Sequence, residues 1–398
     1  MLLQDGCIQS FMGGFNNVFC TNRSRANNGR IRYVGLLNVS FLTFALTFAS
    51  FLLSNLIHSL TLWAQSPELL TELESRYLSN VRQVTDRFER AGEGYFSPDG
   101  QTIIYQAIPP GYPFYQIYTQ SLQGNLIKLI STGRGRTTCS YFSPDGKRVL
   151  FASSHLDPNL TETEEAERAR QAELARRGER PRYVWDFDPY MDIFEADLSG
   201  RILRRLTDTP GYDAEGAYSA DGQWIAFCSM RDGDPDIYVM RSDGTDVRQL
   251  TNAPGYDGGP FISPDGKWIV FRSDRKKADY LQIYVISFDG KHEKALTDNE
   301  GVNWGPYWHP REPYLIWSSA DHSRPDVRPN YDLWLARYHV TNGEFVIDPP
   351  LRITDHPAAD VLPVFSPDGR QLLWTSTRTK DRSSQLFLAD FRLPDGAP

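Results

Sequence analysis

Carboxylates and amides recur at a fixed offset in this 398-residue chain. A Ser-Pro-Asp-Gly turn stands at residues 97–100, 143–146, 263–266 and 366–369, with Ser219-Ala220-Asp221-Gly222 and His309-Pro310-Arg311-Glu312 in the two gaps. Six residues before these turns stand Ala91, Thr137, Asp213, Asp257, Asn303 and Asp360, and four residues before two of them stand Glu93 and Glu215. If the fold gathers these positions around one opening, they form a partly acidic rim that accepts a cation or a basic peptide segment. Tyr212 and Tyr256, beside two of the aspartates, would add aromatic contact to such a rim. The competing reading is local, since Asx side chains also hydrogen-bond backbone N–H groups in turns.

Calcium would suit an oxygen-rich rim, but the spacing forms no defined metal loop, so no cofactor is assigned and calcium is kept as the one candidate. The histidines show no HExxH pattern. His155, His309 and Glu215 could meet only across a channel, as an enzyme site assembled from different repeats. No Gly-x-Ser-x-Gly elbow is present. The spacing of Cys139 and Cys228 suggests neither a disulfide nor a zinc site, and both are expected as small buried hydrophobes.

These residues need a scaffold, and the turns supply its period. Their starts are separated by 46, 76, 44, 46 and 57 residues. Proline presets the first turn position and glycine takes positive φ, so each turn closes a hairpin between alternating segments such as Lys147-Arg148-Val149-Leu150-Phe151. A third strand follows (Gln116-Ile117-Tyr118, Asp192-Ile193-Phe194, Asp236-Ile237-Tyr238 and their counterparts), and then a fourth that ends in a pair such as Leu250-Thr251. Four strands in about 45 residues predict one propeller blade. The last repeat lacks its fourth strand, while a spare one, Val81-Arg82-Gln83-Val84-Thr85, precedes the first and nearly copies Val247-Arg248-Gln249-Leu250-Thr251. The expectation is an all-β, six-bladed β-propeller of four-stranded antiparallel blades, closed by the N-terminal strand completing the last blade. The long spacings mark insertions. Residues 155–182 hold a charged helical segment expected to project from the second blade, and residues 337–350 lengthen a hairpin.

Between Tyr33 and Leu62 only His58 can carry charge. This apolar segment is preceded by arginines and followed by Glu68, Glu72 and Glu74, which predicts a signal peptide or membrane anchor within residues 1–64 and an exported body. A linker at 65–80 leads to the propeller at 81–398. The first 64 residues hold four arginines and one aspartate, so the remainder carries 38 basic and 49 acidic residues, net −11. That charge disfavours nucleic acid and anionic lipid, and membrane contact is expected only through the N-terminal segment.

The turns, the segments Asp236-Ile237-Tyr238-Val239-Met240 and Arg248-Gln249-Leu250-Thr251, and Gly-Tyr-Asp at 211–213 and 255–257 together resemble the TolB-type propeller family over residues 81 to about 392. The family's namesake is periplasmic, works in the Tol–Pal envelope system, binds partners on the ring and carries an α/β domain before it. Residues 65–80 are too few for that domain, so the resemblance implies a TolB-like propeller without it. The function expected is an exported, monomeric, non-catalytic propeller that binds a protein or peptide of the envelope at the channel mouth. Its contacts would be Asp213, Asp257, Asn303, Asp360, Glu93, Glu215, Tyr212 and Tyr256. The alternative is a propeller lyase or hydrolase acting on polysaccharide or peptide in the channel.

Overall fold

The computed structural model describes residues 70–124, 126–179, 187–324 and 326–394. The expected signal or anchor segment lies outside these residues, and among the described residues no helix is long and apolar enough to cross a membrane. The described residues form six antiparallel sheets, each built outward from an inner strand: Arg90–Phe96, Thr137–Phe142, Asp213–Tyr218, Asp257–Ile262, Gly301–Trp308 and Asp360–Phe365. The architecture is an all-β, six-bladed propeller.

The turn chemistry explains each inner hairpin. In the first blade the Ser97 hydroxyl donates to Asp99 Oδ1 (2.6 Å) and accepts from the Thr102 N–H (3.0 Å), while Gly100 takes φ +69°. Ser143, Ser219, Ser263 and Ser366 repeat the donation to an aspartate two residues on. In the fifth blade the imidazole of His309 takes the serine's place, its Nδ1 accepting from the Glu312 N–H at 2.9 Å.

Second and third strands are almost wholly buried, as in Trp268–Ser273 and Gln282–Ser287, whereas fourth strands such as Arg248–Gln249 are exposed. The core therefore lies between blades. Leu150 and Ile193 of the second blade pack with Tyr218, Ile225 and Phe227 of the third. Burying each such side chain contributes about 1.5–3 kcal/mol before entropy is charged.

The ring closes as the spare strand implies. Leu78–Gln83 pairs antiparallel with Gln385–Phe391, giving a last blade built from both ends of the propeller and ordered from the N-terminal strand inward to Asp360–Phe365. Thr85 accepts from the Leu386 N–H at 2.9 Å, as Thr251 does from the Ile237 N–H at 2.9 Å, so the copied sequence occupies the copied place. The strand begins earlier than expected because Leu78 is buried against the last blade and Ser79 still pairs with Asp390. Blade one then packs on blade six, with Gly94 facing Leu373 and Leu386 where a Cβ would crowd them.

Among the described residues both insertions carry regular structure. Residues 337–350 form an extra hairpin in which Glu344–Ile347 pairs with the outer end of Asp332–Thr341. The charged segment forms helix α1, Leu160–Arg176, which is docked rather than wholly projecting. Its Glu164 is buried and accepts from the Tyr112 hydroxyl (2.6 Å), Arg134 Nε (2.7 Å) and the Gly135 N–H (3.2 Å).

Candidate functional site

Every inner strand carries a bulge, seen as a register shift against its neighbour between residues 92 and 94 in the first blade and at the equivalent place in the other five. The bulged residue, four before the turn, adopts positive φ in every blade: Glu93 (+47°), Cys139 (+53°), Glu215 (+60°), Gly259 (+60°), Gly305 (+60°) and Leu362 (+55°). A bulge bends the strand and re-aims one side chain, here toward the ring axis. Holding a non-glycine residue at such φ costs about 1 kcal/mol or more, so the surrounding sheet enforces this arrangement.

At the axis the six positions enclose a cavity of about 30 Å³ lined by residues of all blades. Glu215 is its hub. The carboxylate accepts from the Tyr212 hydroxyl (3.2 Å), the Tyr256 hydroxyl (2.9 Å), Arg272 Nη2 (3.0 Å) and the Gly259 N–H. Arg272, only 7% exposed, also donates to the Tyr256 oxygen at 2.7 Å. A side chain at Gly258 would overlap the Tyr256 hydroxyl, and one at Gly259 the guanidinium, which explains two consecutive glycines there. Glu93 also lines the cavity, with the Cys139 thiol and the Tyr95 hydroxyl (3.4 Å) as its side-chain donors. Burial raises its pKa to about 7, against the opposing pull of the Arg272 charge. One arginine faces two carboxylates here, so the cluster is neutral when Glu93 is protonated.

Two residues further along the inner strands, aromatic rings close the axis. Tyr95, Tyr141, Phe261 and Tyr307 meet with centroid separations of 5.0–6.1 Å, and the hydroxyls of Tyr141 and Tyr307 lie 3.0 Å apart. Beyond them, on the face of the turns, a funnel of about 340 Å³ opens, walled by Pro98, Pro144, Ala220, Pro264, Pro310 and Pro367. The channel is thus plugged inside and open at its mouth.

The expected site residues divide into two groups. Glu93, Glu215, Tyr212 and Tyr256 converge on the axial cluster. Asp213, Asp257, Asn303 and Asp360 are each buried in a separate blade near the opposite mouth. Asp213 binds Arg231 (3.2 Å), Asp257 binds Arg275 (2.5 Å) and Asp360 binds Arg378 (2.5 Å), each arginine lying 18 residues after its aspartate. Asn303 accepts from Trp317 and donates to Asn299 and Gln282. That 18-residue spacing was readable, because the repeats without Asp at this place carry Pro109, His155 and Asp321 instead of arginine. Arg272 was also missed; it is the one charged residue nine positions after a turn start. His155 does not join His309. His155 follows the strand end that pairs with the beginning of an inner strand, while His309 follows the end of another, so they stand at opposite mouths. Cys139 and Cys228 are buried free thiols.

The comparisons agree with this geometry. The TolB beta propeller domain model matches residues 178–278 and 231–331. A TolB homologue from Chlorobium luteolum is 26% identical over 151 residues, 35% of this chain and 34% of its own length. The Tol-Pal system protein TolB of Desulfosudis oleivorans is 35% identical over 52 residues, 13% and 12% of the two chains. This chain therefore spans about a third or less of the curated relatives it matches. A solved structure from Agrobacterium tumefaciens, provisionally described as TolB, is 20% identical, covers 80% of this chain and 99% of its own, and superposes with TM-score 0.51, a likeness of fold. The chain is thus a six-bladed β-propeller, and over residues 178–331 its repeats are similar to the TolB beta propeller domain.

Proposed function

We propose that this propeller is an exported, non-catalytic binding protein whose ligand is a protein or peptide segment of the cell envelope, taken at a channel mouth. The observation that carries this reading is the plugged axis. A cavity of about 30 Å³ holds one or two waters but no sugar or peptide unit. A ligand can therefore reach the mouths and not the axial carboxylates.

The funnel on the turn face is the mouth best built for contact. Its volume of about 340 Å³ lies within the range of ligand pockets, and its wall of prolines over an aromatic floor loses little entropy on binding. The occupant is an apolar side chain of the partner. Of the residues expected to bind, Glu215, Tyr212, Tyr256 and Glu93 would support the mouth by fixing the plug. Asp213, Asp257, Asn303 and Asp360 would act by holding the loops of the opposite mouth. Export and a periplasmic site rest on the N-terminal apolar segment and on the TolB likeness, and the acidic body argues against nucleic acid.

Ala220→Arg tests the reading. Residue 220 is exposed on the funnel wall, so the folded ring should tolerate the change. Crosslinking in the native envelope should lose the captured partner while the thermal midpoint stays within about 2 °C. An unchanged capture pattern would remove the funnel from consideration. Turnover of an oligosaccharide or peptide, abolished by Glu93→Gln, would favour the enzyme instead.

A further inference from the structure

In every blade the second and third strands set two aromatic residues opposite one another, as Phe227 with Tyr238 and Trp317 with Trp334. In five blades another side chain caps the pair. Arg231 lies over Phe227 and Tyr238, at 5.3 and 4.9 Å from the ring centroids. Arg275 lies over Phe271 and Tyr284, at 5.6 and 4.6 Å, and Arg378 over Trp374 at 5.6 Å. In the second blade the ring of His155 sits 4.4 Å from that of Phe194, and in the first Phe88 sits 4.6 Å from Tyr118.

The fifth blade leaves its pair open. Asp321 stands at the place of the capping arginines, and among the described residues no ring or cation lies over Trp334. The third-strand rings of four capped blades, Phe194, Tyr238, Tyr284 and Phe387, are 2–5% exposed, whereas Trp334 is only half-buried. Where the cap would be lies a cavity of about 790 Å³, lined in part by Asn303, Trp317, Ser319, Asp321, Asp332 and Trp334. That volume falls within the range of ligand pockets and far exceeds what one side chain fills. The blade does not need an arginine of its own. Asn303 replaces the aspartate of the third, fourth and sixth blades, and Trp317, Asn299 and Gln282 already engage its amide. The open place therefore strands no buried charge.

The groups that hold an arginine elsewhere are still in place. Ser229 and Ser273 accept from Nε of Arg231 and Arg275 at 2.8 and 2.9 Å, and half-buried Ser319 occupies the same position. The sixth blade, capped by Arg378, matches the fifth most fully: Trp374 donates its indole N–H to Asp360 at 3.0 Å, as Trp317 does to Asn303 at 3.3 Å. Asp321 is exposed and forms no ion pair with a described residue. Of the cavity's own arginines, Arg324 and Arg328 are exposed at its edge and Arg352 is held by Asp332 at 2.6 Å. Tryptophan is the best aromatic partner for a cation, and a planar guanidinium can stack on it while its fork reaches a carboxylate. We propose that this cavity receives the arginine side chain of a partner polypeptide, with the guanidinium over Trp334, bonded to Ser319 and paired with Asp321. The rest of the cavity takes the flanking residues. The site stands at the end of the blade away from the turns, so it shares with the funnel reading only the class of ligand.

The test titrates the full chain, near neutral pH and at low salt, with the capped peptide acetyl-Gly-Arg-Gly-amide. Calorimetry should give one site per chain with a dissociation constant of roughly 10⁻⁴–10⁻³ M. The lysine analogue, which lacks the planar fork, should bind at least about 10-fold more weakly. Trp334→Leu should weaken the arginine peptide by a similar factor. Asn303→Asp combined with Asp321→Arg should rebuild the internal pair of the other blades, fill the place and abolish binding, with the thermal midpoint at or above that of the wild type. Should that double variant fail to fold, Trp334→Leu still decides the matter. Ala220→Arg, on the funnel, should leave peptide binding unchanged, so the two sites can fail separately. No saturable heat up to about 10 mM peptide, or equal binding of the arginine and glutamine analogues, would overturn the proposal. Tighter binding of free L-arginine than of the capped peptide would overturn the assignment to a polypeptide.

Discussion

Glu74 and Arg378, 304 residues apart in the chain, form a two-pronged ion pair at the closure of the ring, with Nη1 and Nη2 donating to the two carboxylate oxygens at 3.1 and 2.5 Å. The same guanidinium holds Asp360, and the paired side chains are fully buried. The short 3-10 turn Glu74–Arg76 is thereby tied to the start of the last inner strand. Sheet pairing alone would have left this turn loose.

Removing the arginine leaves two buried carboxylates uncompensated. Arg378→Met should destabilise the propeller by about 3–5 kcal/mol, read as a fall in denaturant midpoint. Adding Glu74→Gln and Asp360→Asn should recover most of that loss. If the single variant is as stable as the wild type, the pair does not clasp the ring.

Glu93 predicts a pH dependence. Its pKa rises from about 4.5 unfolded to about 7 folded, so the native state binds more protons between those values. Stability from this group is therefore fully present below pH 4.5 and is lost as pH climbs through 7, by on the order of 3 kcal/mol. The facing groups are Glu215, Arg272, Cys139 and Tyr95. Glu93→Gln should flatten this part of the profile and raise the thermal midpoint at pH 8. A variant whose difference from wild type is constant between pH 5 and 8 would refute the assignment.

The closing strand can be tested at its end, where the half-buried Val84 packs on the core. The Val84 N–H donates to Leu386 O at 2.7 Å, and Val84→Pro removes that donor inside a paired segment. The expected result is a loss of about 2–3 kcal/mol and faster proteolysis ahead of the first blade, because the last blade then exposes a strand edge.

Helix α1 has little apolar surface, so its docking rests on Glu164 and on the Gln171 amide that donates to Pro113 O at 3.0 Å. Glu164→Ala should release the helix while the ring stays intact. Hydrogen exchange would rise across 160–176 with the global midpoint nearly unchanged. Equal protection in the variant would show that other contacts hold the helix.

Much of this fold was written along the chain. The turns at 97, 143, 219, 263, 309 and 366 marked the blades, and the likeness of residues 81–85 to 247–251 marked the closure, because a repeat displays its local geometry once per copy. The offset of Glu93 and Glu215 from their turns suggested a shared rim at one mouth, whereas the bulges turn both into the axial cavity and leave the aspartates apart from them. Tertiary structure decided what those positions meet. Arg272 lies 57 residues from Glu215, and nothing local announces that ring closure brings the two together. Whether Asp213, Asp257 and Asp360 were exposed or sealed under arginines depended on packing between neighbouring blades. A repeat determines where a side chain sits within its blade, whereas charge balance, burial and access are set by the adjoining blade. That is why the sequence by itself determined the ring, and only the assembled ring decided that its axis is closed.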